Sequence, residues 1–190
     1  VEELKARILA EGKNLGRGIL KIDSILNHQI DSALMAAMGR EIARRFKDAG
    51  VTRILTAEVS GIAPALVAGI EMGLPVVYAR KHKPITMQEP VYVETAPSHT
   101  KGDEVNLMVS PEFIHAGDRV LIVDDFLATG KTIYALAQIV LRAGASLAGV
   151  ICVVEKTFEG GRSYLAELDT RIEALATIVA MEGDTITFAD

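Results

Sequence analysis

Two apolar rhythms alternate along this chain from about residue 31 onward. In "DSALMAAMGREIARRFKDAG", Leu34, Met35, Met38, Ile42 and Phe46 recur at helical spacing. Asp31 is placed to cap that helix and Gly50 to end it. "RILTAE" predicts a short buried strand. "SGIAPALVAGIEMG" predicts the next helix, capped by Ser60 and closed by Gly73, and "PVVYAR" the next strand. "DEVNLMVS" alternates like an edge strand, "RVLIVDD" is nearly continuous in apolar residues, "KTIYALAQIVLRAG" returns to helical spacing, and "SLAGVICVVEK" is a further strand followed by a short helix at "GRSYLAELD". Strands that are apolar throughout have both faces covered, as in a parallel sheet between helical layers. The pattern therefore predicts one α/β domain over residues 1–190, an open, doubly wound parallel sheet flanked by helices. Residues about 12–30 and about 171–190 lie outside the alternation and are expected to form a small cap, or hood, over one sheet end. Residues 81–101, rich in Pro, Thr and charge, are expected to be a long flexible loop, with room for a short hairpin.

In such a sheet, ligands bind beyond the carboxyl ends of the strands. Those ends carry Glu58–Gly61, Arg80–Lys83, Asp124–Thr132 and Glu155–Lys156, a mixture of carboxylates, cations and small-residue turns. Charge removes some alternatives. A net charge of −5 argues against a nucleic-acid partner, which favours a basic face. The four histidines, His28, His82, His99 and His115, form no i, i+4 pair, so a structural metal site is not expected. No apolar run is long enough to cross a bilayer. "VEELKARILAEGK" reads as an amphipathic, acid-bearing helix rather than a secretory leader. The single Cys152, in an apolar strand, suits a reducing cytoplasm and a core role.

"VLIVDDFLATGKT", residues 120–132, narrows the chemistry. Gly130-Lys131-Thr132 resembles the end of a triphosphate-binding loop, but that motif needs glycine at position 125, which is Asp. Ala128, Thr129 and Gly130 open a helix, where backbone N–H groups can surround one phosphate. Asp124 and Asp125, one turn away, would repel that phosphate unless they face hydroxyls or a cation. A ribose diol with Mg²⁺ nearby meets the demand. The ligand implied is a ribose 5-phosphate.

These thirteen residues resemble the phosphoribosyl-pyrophosphate signature of the type I phosphoribosyltransferases. "AEVSGI" is similar to that family's pyrophosphate loop, and "PVVYARKHKP" to the strand and basic turn before its flexible loop. "GILKIDSILNHQID" and "VVEKTF" extend the resemblance, over nearly the whole chain, to the bacterial branch that uses xanthine. The resemblance implies the family fold and transfer of ribose 5-phosphate from phosphoribosyl pyrophosphate to a base, with Mg²⁺ bound to the pyrophosphate. It implies that Ala128, Thr129, Gly130, Lys131 and Thr132 hold the 5-phosphate, and that Asp124 and Asp125 are the catalytic acids meeting the ribose hydroxyls. Ser60, Gly61, Arg80 and Lys81 would meet pyrophosphate. It also implies a homodimer, because the basic turn in this family often reaches a neighbouring subunit's site.

For the base, Lys156 ends an apolar strand facing the expected crevice. An ammonium only donates hydrogen bonds, so it suits a 6-oxopurine and mismatches the 6-amino group of adenine. The resemblance adds Asn27 and Leu20 as xanthine contacts. An amide can flip, so Asn27 alone leaves guanine and hypoxanthine open. Phe158 is placed either to stack on the purine or to join the core. Hypoxanthine–guanine members carry an acid where this chain has Ala128. A general base would then come from Glu89 or Glu94 in the loop, or from water, and the departure favours xanthine. A regulator that keeps the sugar site and binds DNA is the rival of another class; the acidic chain and short N-terminal segment speak against it.

Overall fold

The computed structural model describes residues 1–97 and 104–189. Helix α1 spans Glu2–Glu11, and a small antiparallel pair, β1 (Lys13–Asn14) and β2 (Leu20–Lys21), leads into one π-helical turn at Asp23–Asn27. Then follow α2 (Ser32–Phe46), β3 (Arg53–Ala57), α3 (Ile62–Met72), β4 (Val76–Ala79), β5 (Tyr92–Pro97), β6 (Glu104–Val109), β7 (Arg119–Leu127) and α4 (Lys131–Arg142). The chain continues through β8 (Ser146–Lys156), α5 (Gly161–Tyr164), β9 (Ile172–Glu182) and β10 (Thr185–Phe188).

Six strands form the central sheet in the order β10-β9-β8-β7-β3-β4. All neighbours are parallel except the β9–β10 hairpin. Both faces are covered, which explains the unbroken apolar strands. Ile54, Leu121, Val123, Ile151 and Val153 pack under α1, α2 and α3. Leu55, Val120, Ile122, Val150 and Cys152 pack under α4 and the β5–β6 hairpin. From β3 the chain steps to β4 on one side, then crosses to β7 on the other. The order of strands thus reverses between β3 and β7, and a crevice opens at their carboxyl ends.

The helix expected at Asp31 starts there: its Oδ1 accepts from the Leu34 N–H at 3.0 Å, and the anticipated apolar stripe is buried. Three expectations change. Ser60 does not cap α3, which starts behind Gly61 with no side-chain cap; its hydroxyl accepts from Asn27 instead. Strand β7 does not stop at the acids but runs on to Leu127, so Asp124 and Asp125 are strand residues fixed by the ladder. Strand β6 is the edge of a separate two-stranded sheet, not of the central one. It pairs with β5 over Tyr92–Pro97 and touches the main sheet through the Arg80–Met108 bridge. Its alternation gives one wet face and one, Leu107 and Val109, that covers the α4 side.

The segment expected to be an irregular loop thus contributes a strand, the short hairpin the sequence allowed; the part from residue 98 to Lys101 lies outside the described residues. At the C-terminus, Ile172–Ile178 pairs with β8 inside the sheet, so this stretch does not stand apart as a cap. Beyond Ile178 the strand pairs only with β10, and the hairpin turn meets the N-terminal pair, where Asn14 Nδ2 donates to the Gly183 carbonyl at 2.9 Å.

Candidate active site

The crevice at the β3/β7 switch is a cavity of about 850 Å³. Its floor is the β7–α4 turn. Helix α4 begins behind Gly130, whose φ of +81° lies in the left-handed region, and no side chain caps it. The N–H groups of the first helical turn therefore point out of the helix without intrahelical partners. They are aimed where a phosphate would gain from the helix dipole as well. Ala128, Gly130, Lys131 and Thr132 line this end. Thr129, half-buried, completes the turn.

The turn is braced from behind by a part of the chain thirty residues later. A Cβ at Gly161 would lie 2.2 Å from the Ala128 carbonyl oxygen and 2.9 Å from the Gly130 nitrogen. Only a bare backbone fits there. That backbone is anchored by its neighbour: Arg162 Nη2 and Nε donate to the Glu155 carboxylate at 2.6 and 2.8 Å, and Nη1 donates to the Ile172 carbonyl at 2.7 Å. Glu155 is 2% exposed, so the guanidinium neutralises a buried charge.

Asp124 and Asp125 follow on the β7 side. Asp124 is buried. Loss of hydration, then the neighbouring Asp125 charge, push its carboxyl well above the usual carboxylate range, while the Lys81 ammonium pulls the other way. A carboxyl so placed gains from a cation or from hydroxyl donors. On the β3 side, a Cβ at Gly61 would lie 2.8 Å from Asp124 Oδ1 and 2.2 Å from Thr56 Oγ1. Thr56 is fully buried and its hydroxyl has no hydrogen-bond partner. The Glu58–Gly61 loop is organised by Glu58, whose carboxylate accepts from the Lys81 backbone N–H at 2.6 Å and from Arg80 Nε at 3.0 Å. Lys81 lines the cavity with Ser60 and Gly61. Arg80 does not; it is tied to Glu58 and stacked over the Tyr78 ring.

The hood closes the other end. Asn27 Nδ2 donates to Asp125 Oδ2 at 3.1 Å and to Ser60 Oγ at 3.0 Å, bridging both sides of the switch. Leu20 and Ile19 offer apolar surface, faced by Phe126. Lys156, 8% exposed, donates to the Gly18 carbonyl at 2.7 Å, pairs with Glu159, and lies 5.7 Å above the Phe126 ring. It is neither a surface lysine nor a partner of Glu155.

The aromatic face is Phe126 rather than Phe158, which is exposed and outside the cavity lining. Neither candidate base in the loop lines the cavity. Glu94 pairs with Arg142 at 2.9 Å, and Glu89 pairs with Lys83. Sequence reasoning gave no role to Arg17, Phe126, Glu159 or the Glu155–Arg162 pair, and placed Glu58 only as a strand-end carboxylate. The one signal for the hood turn was Gly16-Arg17-Gly18, whose φ angles of +81°, +52° and +75° carry the Gly18 carbonyl to Lys156.

The profile of the phosphoribosyl transferase domain matches residues 22–176. The chain belongs to the phosphoribosyltransferase family. Proteins named xanthine phosphoribosyltransferase are similar over full length: one from Stutzerimonas stutzeri is 47% identical, covering 100% of both chains. One from Latilactobacillus sakei is 46% identical over 98% of this chain and 96% of its own. Among solved structures, adenine phosphoribosyltransferase from Thermoanaerobacter pseudethanolicus superposes with a TM-score of 0.77 at 26% identity, covering 93% of this chain and 98% of that one. The doubly wound α/β sheet is thus the type I phosphoribosyltransferase fold. Asp124, Asp125, the α4 turn and Lys156 all line the one cavity.

Proposed function

We propose that this enzyme transfers ribose 5-phosphate from phosphoribosyl pyrophosphate to xanthine, giving xanthosine monophosphate and pyrophosphate. The carrying observation is the placement of Lys156 in the same cavity as the α4 phosphate turn and the acid pair. The relatives' names support the choice of xanthine.

The turn from Ala128 to Thr132 holds the 5-phosphate through backbone N–H groups and the helix dipole. Asp124 and Asp125 accept from the ribose hydroxyls and fix the ring. Ser60, Gly61 and Lys81 receive the pyrophosphate, with Arg80 holding Glu58 and through it the loop backbone. The bond from ribose carbon 1 to pyrophosphate oxygen breaks with its electron pair going to that oxygen. A base nitrogen then bonds to carbon 1 and gives up its proton to water, since neither Glu89 nor Glu94 lines the cavity. The protein's share is positioning and stabilisation of the leaving charge. Leu20, Ile19 and Phe126 flank the base, Lys156 donates to its 6-oxo group, and Asn27 reaches from the hood.

Among the described residues no group of three or more His, Cys, Asp or Glu side chains could hold a metal. The donor set still fits Mg²⁺ arriving with pyrophosphate, since that ion takes one or two carboxylates and fills its shell with phosphate oxygens and water. Asp124 and Asp125 are the residues that would meet it. When bound, it neutralises charge on the leaving group.

The pairing of two copies is part of the proposal. Leu66 and Ile70 on α3 and Tyr78 on β4 are half or more exposed or nearly so, at 52%, 68% and 43%, on the edge of the sheet beside the Arg80 turn. Ile70→Arg should turn a dimer into a monomer in sedimentation velocity. A cytoplasmic setting also belongs to the proposal; among the described residues no helix is long and apolar enough to cross a membrane.

The test is a base panel with phosphoribosyl pyrophosphate and Mg²⁺. Xanthine should give the highest kcat/KM. Equal or faster turnover of guanine or hypoxanthine would overturn the base and spare the reaction class. Lys156→Ala should lower kcat/KM for the base by at least about 30-fold, from loss of a hydrogen bond with a charged donor. Sugar-phosphate affinity should change little.

A further inference from the structure

Beside Lys156, the cavity presents a second charged group with no part in sugar binding. Glu159 lies three residues on, in the 3₁₀ turn Thr157–Glu159. Its carboxylate lines the cavity, pairs with the Lys156 ammonium, and has a side chain only 21% exposed. The hood presses on it: a Cβ at Gly18 would lie 3.0 Å from Glu159 Oε1 and 3.6 Å from its carboxyl carbon. The pair therefore stands on one side of the same space that Leu20, Ile19 and Phe126 flank.

An ammonium donates only and a carboxylate accepts only. Side by side they match a ligand edge with an acceptor next to a donor. The 6-oxo group and adjacent N1–H of an oxopurine form such an edge. Adenine shows the reverse, a donor amine beside an acceptor nitrogen, and meets the wrong partner at both points. Lysine alone checks one atom; with Glu159 the site checks two.

We propose that Glu159 is a specificity-determining residue that accepts the N1–H of the base while Lys156 donates to its 6-oxo group. This rests on the oxopurine reading above and extends it to a second contact. The Lys156 ammonium has three hydrogens, and Gly18 and Glu159 take two of them; the carboxylate keeps its second oxygen. The base thus docks against a pair already formed, and little side-chain freedom is lost on binding.

The experiment compares xanthine with 1-methylxanthine, which lacks the N1–H, in the wild type, Glu159→Gln and Glu159→Leu. The wild type should prefer xanthine by about 100-fold or more in kcat/KM, as expected when a polar site built to accept a hydrogen bond meets a base that lacks the donor. Glu159→Leu should lower xanthine kcat/KM by roughly 30-fold and shrink the preference below about tenfold. The KM for phosphoribosyl pyrophosphate should stay within about twofold, a split that general unfolding would not produce. Glu159→Gln, which keeps shape and one acceptor oxygen, should fall between. An unchanged preference in Glu159→Leu, or an equal loss for both bases, overturns the assignment; if Leu does not fold, an unchanged preference in Glu159→Gln does so. Should the wild type use guanine in place of xanthine, the base reading falls. The same comparison with 1-methylguanine then decides Glu159, because guanine carries the same edge.

Discussion

Gly61 has a φ of −69° and ψ of −19°, a conformation open to any residue, so Gly61→Ala adds no backbone strain. It adds only a methyl carbon, 2.2 Å from Thr56 Oγ1, 2.8 Å from Asp124 Oδ1 and 3.1 Å from the Ala57 carbonyl oxygen. Thr56 is fully buried on β3, so it cannot swing away without repacking the core. Overpacking of this kind costs about 1–3 kcal/mol. At a midpoint of about 2 kcal/mol, a chain of this size should lose roughly 4–8 °C in Tm. The strain falls on Asp124, so kcat/KM for phosphoribosyl pyrophosphate should drop by at least about tenfold, as when a catalytic group is misplaced. Thr56→Ala removes the nearest contact, together with a hydroxyl that has no partner. The double variant Thr56→Ala/Gly61→Ala should therefore recover more than half of the Tm loss and part of the activity. Calorimetry and steady-state kinetics on the wild type, both single variants and the double variant complete the cycle. A Gly61→Ala enzyme with Tm and KM both unchanged, or a double variant no better than the sum of its parts, would refute the steric argument.

Arg162→Ala strands the 2%-exposed Glu155 without its cation. Because the guanidinium is itself half-exposed, the loss should sit at the low end for a buried pair, about 3 kcal/mol, read by denaturant unfolding; a loss under about 1 kcal/mol would contradict the bracing role. Glu41 is held at a pKa of about 2, chiefly by hydrogen bonding to Arg44. Its folded-state value is depressed, so its contribution is complete above the ordinary carboxylate value of 4.5 and fades as pH falls toward 2. Glu41→Gln should flatten the fall of Tm across that window, and an identical acid limb would count against the pair. Burial pushes the Cys152 thiol well above its usual range. A thiol reagent at pH 8 should label it only on unfolding; rapid labelling of the native protein would show that the β8 core is open.

Much of the scaffold was legible because both periods are long and clean. The α2 stripe and its Asp31 cap came directly from helical spacing, and the apolar strands reported a sheet covered on both sides. The strand, turn and helix around the proposed sugar end were legible for a related reason: strand, acids, small-residue turn and helix are contiguous, so their geometry is local. The base end was only half legible. Lys156 could be placed by its strand. Glu159, Phe126 and Gly18 belong together only through tertiary contact, and nothing local to any of them announces it. For the same reason the partner of β6 was not legible. Its alternation states that one face is wet, not which strand lies beside it. Ser60 was read as a cap from its type and position, but its hydroxyl was claimed by Asn27 from a distance of 33 residues.

Only four residues separate Lys156 from Gly161, the bare backbone braced against the phosphate turn. The surface proposed to meet the base and the prop behind the proposed phosphate turn are thus two ends of one short link. Swapping Thr157, Phe158 or Glu159 to retune base choice leaves the prop in place so long as the link keeps its length. Adding or deleting a single residue there would shift both at once. Designers seeking new nucleotide products from this scaffold should treat that length as fixed and vary only the side chains it carries.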